Sequence, residues 1–397
     1  MGTMNGEGPK AVETDLEELE EKIKEHRKKI FHRVLIVIAV VLVFFISMEL
    51  FMALRVYDSY EVQNKAERTD SEATKFVPFA GNVVKYSNDG ILYMDTANEL
   101  IWNQAFEMND PQLQLCENYL VVYDRGGTQI YIMSDTGLQK QINTTVPIRT
   151  ACIARQGTIA VLMKEQEVSH VKLFDKTGKE LANGEFYASK GGFPIDIALS
   201  YDAQKLAVDM LDVNDGEVKS TISFYNFGSV GQNEINNNVG TFAYSDMLIP
   251  EIAYVSDTRM LALADNEILI FEGNQKPEVS EKIYIQQSIQ SVFYNEKYIG
   301  MILDNGTEED PYLIQVYDMR GNCVMEAETA FAYEHAEFLA NNEVCLTNQY
   351  ECEIYTIHSI RKFSYNFDAE IYKIMSRGTS MDYTFILEGE TDEVRLR

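Results

Sequence analysis

Histidine and tryptophan are almost missing from this sequence, with five and one in 397 residues, and each scarcity closes off a kind of chemistry. Past the first 33 residues only His170, His335 and His358 remain, and no Gly-x-Ser-x-Gly elbow accompanies them, so a Ser-His-Asp hydrolase lacks its parts. The five cysteines (Cys116, Cys152, Cys323, Cys345, Cys352) include no Cys-x-x-Cys pair, and no histidine stands at ligand spacing from them. Neither a zinc site nor a disulfide framework is indicated. One pairing stays open, because Cys345 and Cys352 face each other if Asn348-Gln349 is a two-residue hairpin turn. Positive charge is also short, with 34 Lys and Arg against 62 Asp and Glu, for a net charge of −28. Phosphate backbones are repelled by such a chain, so nucleic acid is not an expected partner.

Only one apolar run is long. Val34–Met48, then Glu49, then Leu50–Leu54 would span about 30 Å as a helix, which matches a hydrocarbon core. A cleaved signal peptide would end in a small-x-small site, whereas this run ends in Phe51-Met52-Ala53-Leu54-Arg55. Lys22, Lys24, Arg27, Lys28, Lys29 and Arg33 precede the run, and Arg55, Lys65 and Arg68 follow it among acids. The positive-inside rule therefore expects a single-pass cell-membrane protein with a cytoplasmic N-terminus and an extracytoplasmic C-terminal domain. Within the tail of residues 1–33, Thr14-Asp15-Leu16-Glu17 reads as a capping box. Val12, Leu16, Leu19, Ile23 and Ile30 follow at 3–4 spacing, so residues 15–33 are expected to be helical. Residues 1–13 read as disordered and 55–74 as a linker, for want of an apolar period. Residues 1–33 hold 7 basic and 8 acidic residues and the apolar run one acid, so −26 of the net charge falls on residues 55–397.

What is abundant is β-forming sequence. Tyrosine and phenylalanine number 23 and 20, and both suit pleated surfaces. From Phe76 onward, short apolar runs alternate with turn residues and superpose at spacings of roughly 37–50 residues. The clearest element is a strand, then Asp or Asn, two residues, Gly, and another strand. It occurs as LYMDTANELIW (92–102), YIMSDTGLQ (131–139), KLFDKTGKEL (172–181) and QVYDMRGNCV (315–324). Looser copies are SFYNFG (223–228), IFEGNQ (270–275) and YTIHSIRK (355–362). The Asp or Asn side chain closes a turn, and glycine takes the positive-φ position of a bulged hairpin.

Two apolar runs precede each copy, which gives four strands, A to D, per unit. Unit starts fall near Leu113, Ile195, Ile252, Ile289, His335 and Ile371. Pro111, Pro147, Pro194 and Pro250 fall in D-to-A connections, where no ladder donor is needed. The expected fold over residues 75–397 is therefore an all-β propeller. Eight blades are favoured, the last truncated after EVRLR (393–397), and seven are the alternative.

These repeats resemble quinoprotein-like and WD-type propeller blades, in the D-x-x-G turn and, once, in the Trp102 that follows it. Anchor and propeller together resemble an uncharacterised family of membrane-anchored propeller proteins of clostridial-type Gram-positive bacteria. That resemblance implies topology and carries no functional residues. True quinoproteins repeat the tryptophan in most blades around a cofactor; here it occurs once, and no cofactor is expected.

Two acidic clusters are weak metal candidates: Asp209, Asp212, Asn214, Asp215 and Glu217, and Asp304, Glu308 and Asp310 with Glu309. Neither fits the calcium loop D-x-D-x-D-G-x5-E, and the favoured reading of each is a solvated hairpin loop. Both are assigned to B–C loops, which share one face of a propeller. With Glu165, Glu167, Asp265, Glu267, Glu351, Glu388, Glu390 and Asp392 they make that face acidic, while A–B and C–D loops carry most lysines and arginines. The linker is expected to enter on the acidic side. The function these features fit is non-enzymatic binding or scaffolding for a protein, peptide or cell-wall partner; the alternative is a carbohydrate-active hydrolase with carboxylates in the channel.

Overall fold

A computed structural model describes residues 10–53, 55–69, 74–213 and 216–397. It divides into two units, Met1–Arg55 and Val56–Arg397. The first contains one continuous helix, α1 (Lys10–Ala53). It begins four residues before Thr14, so the expected capping box lies inside the helix rather than at its start. Its stretch His26–Met48, 23 residues with mean hydropathy 2.7, has none of its side chains buried and is long and apolar enough to cross a membrane.

The second unit is eight four-stranded antiparallel sheets, each ordered A-B-C-D. Blades I to VII occupy 75–105, 111–143, 148–187, 193–245, 251–284, 289–329 and 335–366. Residues 371–396 supply only three strands of blade VIII. Its fourth is β1 (Tyr60–Glu67), which pairs antiparallel with strand C from Tyr60↔Leu396 to Glu67↔Glu390. The expected linker thus contains the outer strand that closes the ring. It escaped notice because an outer strand needs little apolar sequence: β1 is exposed along almost its whole length.

Closure reaches beyond one sheet. The Tyr57 N–H donates to the Lys362 carbonyl of blade VII at 2.7 Å, and the residue is 3% exposed. After β1, the Arg68 guanidinium donates to Thr391 Oγ1 and the Leu387 carbonyl, and lies 4.5 Å over the Phe76 ring of blade I. Because β1 starts beside Leu396, the chain enters at the A–B/C–D face, opposite the expected side.

The recurring turn behaves as its chemistry requires. Asp175 Oδ1 accepts the N–H groups of Thr177 and Lys179 at 2.8 and 3.0 Å, and Gly178 sits at φ +83°. Asp318 does the same for Arg320 and Asn322, with Gly321 at +75°. A bulge at this C–D corner recurs in blades I to VII. Trp102 packs on Tyr93 and donates from Nε1 to the Asp135 carbonyl of the next blade at 3.0 Å.

Inward-facing apolar residues collect into eight clusters, one between each pair of neighbouring blades. Cys345 and Cys352 lie in the VII/VIII cluster as free thiols. Their hairpin turns at Gln349-Tyr350, one residue later than expected, because the Asn348 N–H bonds the Glu351 carbonyl. Cys345 therefore faces Ile354, and Cys352 faces Thr347.

Candidate functional site

Strand direction alternates within each blade, so B–C and D–A connections share one face and A–B and C–D connections the other. The first face is acidic. Its loops contain Asp89, Glu107, Glu167, Glu217, Asp246, Asp265, Glu308, Glu309, Asp310, Glu334, Asp368, Glu370 and Glu388. Among the described residues its loop cations are Arg68, Arg125 and Lys190. Arg68 is buried in the ring closure and Arg125 pairs with Asp110 at 2.7 Å. The opposite face mixes signs, with Lys176, Lys179, Lys297, Arg320 and Arg397 among Glu117, Asp202, Asp257 and Glu296. There Arg155 bridges A–B loops, 2.6 Å from Asp257 and 3.9 Å from Glu117.

The two acidic clusters of the sequence fare differently. Asp304 Oδ1 accepts the Gly306 N–H, and the Asp310 carbonyl accepts from Asn305 and Thr307, so turn closure accounts for much of that loop. Glu308 and Glu309 are exposed on it. Asn214 and Asp215 lie outside the described residues, while Asp212 ends strand B of blade IV and Glu217 lies in the B–C loop that follows. Asp209 is not in that loop. It sits inside strand B of blade IV (Lys205–Asp212), fully buried, because strict alternation turns Ala207 and Asp209 toward blade V. Among the described residues no three His, Cys, Asp or Glu side chains are disposed to hold a metal ion.

Directly opposite Asp209 is Asp196 on strand A (Phe193–Leu199). A bulge at Ile195, just after Pro194, sets its direction, since one extra residue re-aims the side chain that follows. The Ile252 N–H of blade V donates to Asp196 Oδ2 at 2.9 Å. Neither Asp209 oxygen has a hydrogen-bond partner. Burial pushes the Asp196 carboxyl up to about 7. Burial, and then the charge of Asp196, push Asp209 up to about 8. Both carboxyls therefore keep a proton well above the usual carboxylate range, Asp209 more than Asp196, as happens when low dielectric penalises the charged form.

Asp196 faces a cavity of about 400 Å³ in the central channel, lined mainly by strands A of blades II to V. Glu251 joins it, with the Tyr294 hydroxyl donating to Glu251 Oε1 at 2.6 Å. Two carboxylates thus share one cavity, the arrangement that hydrolysis in the channel would require. Sequence reading missed both. The available signal was their position: each follows a proline within two residues, Pro250 just before strand A and Pro194 not, as expected, in the D–A connection but at the second residue of strand A.

In fold, the chain resembles the C-terminal WD40 domain of Sif2, with TM-score 0.54 and 13% identity over 86% of this chain and 99% of that one. BamB from Moraxella catarrhalis matches with TM-score 0.49 and 10% identity, over 85% and 100%. The Pan2 WD40 domain of Neurospora crassa gives 0.47 and 10%, over 86% and 97%. At such identities the Sif2 likeness speaks to the propeller fold alone. No curated protein matches the sequence. Residues 53–396, the whole propeller, match one family, and the chain belongs to it: the family of unknown function DUF5711.

Proposed function

We propose that this protein is a membrane-anchored, extracytoplasmic binding or scaffolding module whose acidic loop face docks a basic partner. The observation that carries the reading is the segregation of charge between the two faces. Random surface acid keeps a domain soluble without regard to side, whereas here most loop cations stand among acids on one face and the described loops of the other carry acids with few cations. Complementary charge of this kind speeds encounter and sets orientation, with an affinity that falls as salt rises. The anchor is α1: its apolar stretch follows six lysines and arginines, so the N-terminus stays in the cytoplasm and the propeller is outside. Partners of matching chemistry are a basic protein segment, a basic peptide or a cationic cell-wall component.

Crosslinking pull-down of the tagged full-length protein from its native membrane tests this. A specific partner recovered by wild type and lost in E308K/E309K/D310K supports docking on the acidic face. Recovery undiminished by that reversal contradicts it.

A second reading, hydrolysis, has its own observation. Asp196 and Glu251 share the channel cavity, and an acid raised to about 7 suits a general acid. Turnover of nitrophenyl glycosides by the full-length protein, abolished in D196N, would establish it; equal release by both proteins would remove it.

A further inference from the structure

We propose that the channel cavity walled by Asp196 and Glu251 binds an organic cation, a primary ammonium or a guanidinium group. Tyr201, Tyr254 and Tyr294 line the same space, and no lysine or arginine does. Carboxylates beside tyrosine rings supply the two attractions such a cation uses, ion pairing and the negative face of the ring. Tyr254 is 7% exposed and its hydroxyl has no hydrogen-bond partner. Behind Asp196, both oxygens of Asp209 are also unpartnered. Buried polar groups are normally satisfied, so the unpartnered Tyr254 hydroxyl and Asp209 carboxyl mark polar capacity left open beside the cavity.

Elsewhere in the ring the chain meets the same need itself. The second large channel-side cavity, about 600 Å³ between blades VII, VIII and I, is walled by Glu337, Lys373 and Arg377. There Lys373 pairs with Glu337 at 2.6 Å, and Arg377 pairs with Glu393 at 3.1 Å. At the A–B mouth, the Arg155 guanidinium fills the corresponding role between Asp257 and Glu117. The Asp196 cavity is the exception. The cation that acts on it is Arg149, exposed at the bulge of the neighbouring blade, whose Nε donates to the Ile195 carbonyl. Asp209, Tyr123, Tyr201, Tyr294, Cys152 and Glu251 are the other titratable groups around Asp196, and none of them is a cation at neutral pH.

The site stands on its own chemistry. It rests on the binding-module reading only for the source of the cation, a free amine or a partner's lysine or arginine side chain. Calorimetry on the full-length chain in detergent micelles at pH 7 tests it with butylammonium, butylguanidinium, neutral butyramide and acetyl-Gly-Arg-Gly-amide. Both small cations bind saturably and butyramide does not. The heat differs between buffers of different ionisation enthalpy, because the bound cation displaces the Asp196 proton. Glu251→Gln, at an exposed position, weakens binding about tenfold or more, as loss of a charge-assisted contact requires, and Tyr254→Phe weakens it less. Tighter binding of the tripeptide than of butylguanidinium assigns the cation to a partner chain; the reverse assigns it to a free amine. The E308K/E309K/D310K variant keeps butylguanidinium binding even if it loses its protein partner, which separates this site from face docking. Cations that bind no better than butyramide, or equally well to Glu251→Gln, overturn the proposal.

Discussion

The two faces of the propeller handle charge in opposite ways. On the A–B/C–D face, cations are set among acids: Arg155 spans A–B loops, Lys276 pairs with Glu234 at 2.7 Å, and the buried Lys362 pairs with Glu343 at 2.5 Å. The chain also enters there and closes its ring there. Among the described residues of the B–C/D–A face the acids outnumber the cations, and two of those cations, Arg125 and Arg68, are already committed to Asp110 and to the ring closure. Self-neutralising charge belongs to assembly, and the uncompensated charge is what the proposed docking would use.

The largest effect expected from breaking this division is on the assembly side. A chain starting at residue 75 lacks β1 and leaves blade VIII three-stranded, with the Arg68 clamp gone. It should lose cooperative unfolding, whereas a chain starting at residue 56 should keep it; calorimetric scans of the two decide. Equal transitions would mean that β1 is ornamental.

Next comes Lys362→Met. It leaves Glu343, 7% exposed, without its counter-ion and with the Tyr383 hydroxyl as its side-chain donor, and breaking a buried pair in this way costs about 3–5 kcal/mol. Urea unfolding measures it, and a loss similar to that of an exposed lysine would contradict the buried-pair description.

A smaller effect, of opposite sign, is expected at the acid pair. Asp196 and Asp209 have folded pKa values raised from 3.8 to about 7 and about 8. Between these limits the folded state holds more protons than the unfolded chain, so stability falls as pH rises through the window and the full penalty applies above about 8. Asp209→Asn should therefore stabilise the propeller at pH 9, by on the order of 2 kcal/mol, and change little at pH 4. The difference between variant and wild type is the readout, because acidification also relieves the general repulsion of so acidic a chain. A pH-independent difference would show that Asp209 is not the titrating group.

Much of this was legible in the sequence, for a physical reason. Asp175, Gly178, Asp318 and Gly321 repeat because a bulged hairpin needs a side-chain acceptor and a positive φ at fixed offsets, so blade phase and number could be counted. What was not legible was set by partners distant in sequence or by burial. Tyr60–Glu67 has no apolar period because it packs only along an edge, and its partner lies more than 300 residues away at Leu396. Asp209 read as part of an acidic loop, since composition ignores alternation; its place two residues after Ala207, on the inward side of a strand, was the available sign. Asp196 and Glu251 are ordinary acids in the sequence, and only ring geometry brings them into one cavity.

The most direct test of the docking face holds total charge constant and changes its side. E308K/E309K/D310K and E99K/D135K/E296K each raise the net charge equally, on the acidic and the mixed face respectively. Binding of decalysine to full-length protein should weaken about tenfold or more at low salt in the first variant, as short-range loss of opposite charge requires, and far less in the second. Equal weakening in both would mean that the chain attracts cations by net charge alone, and the account of a polarised docking face would be wrong.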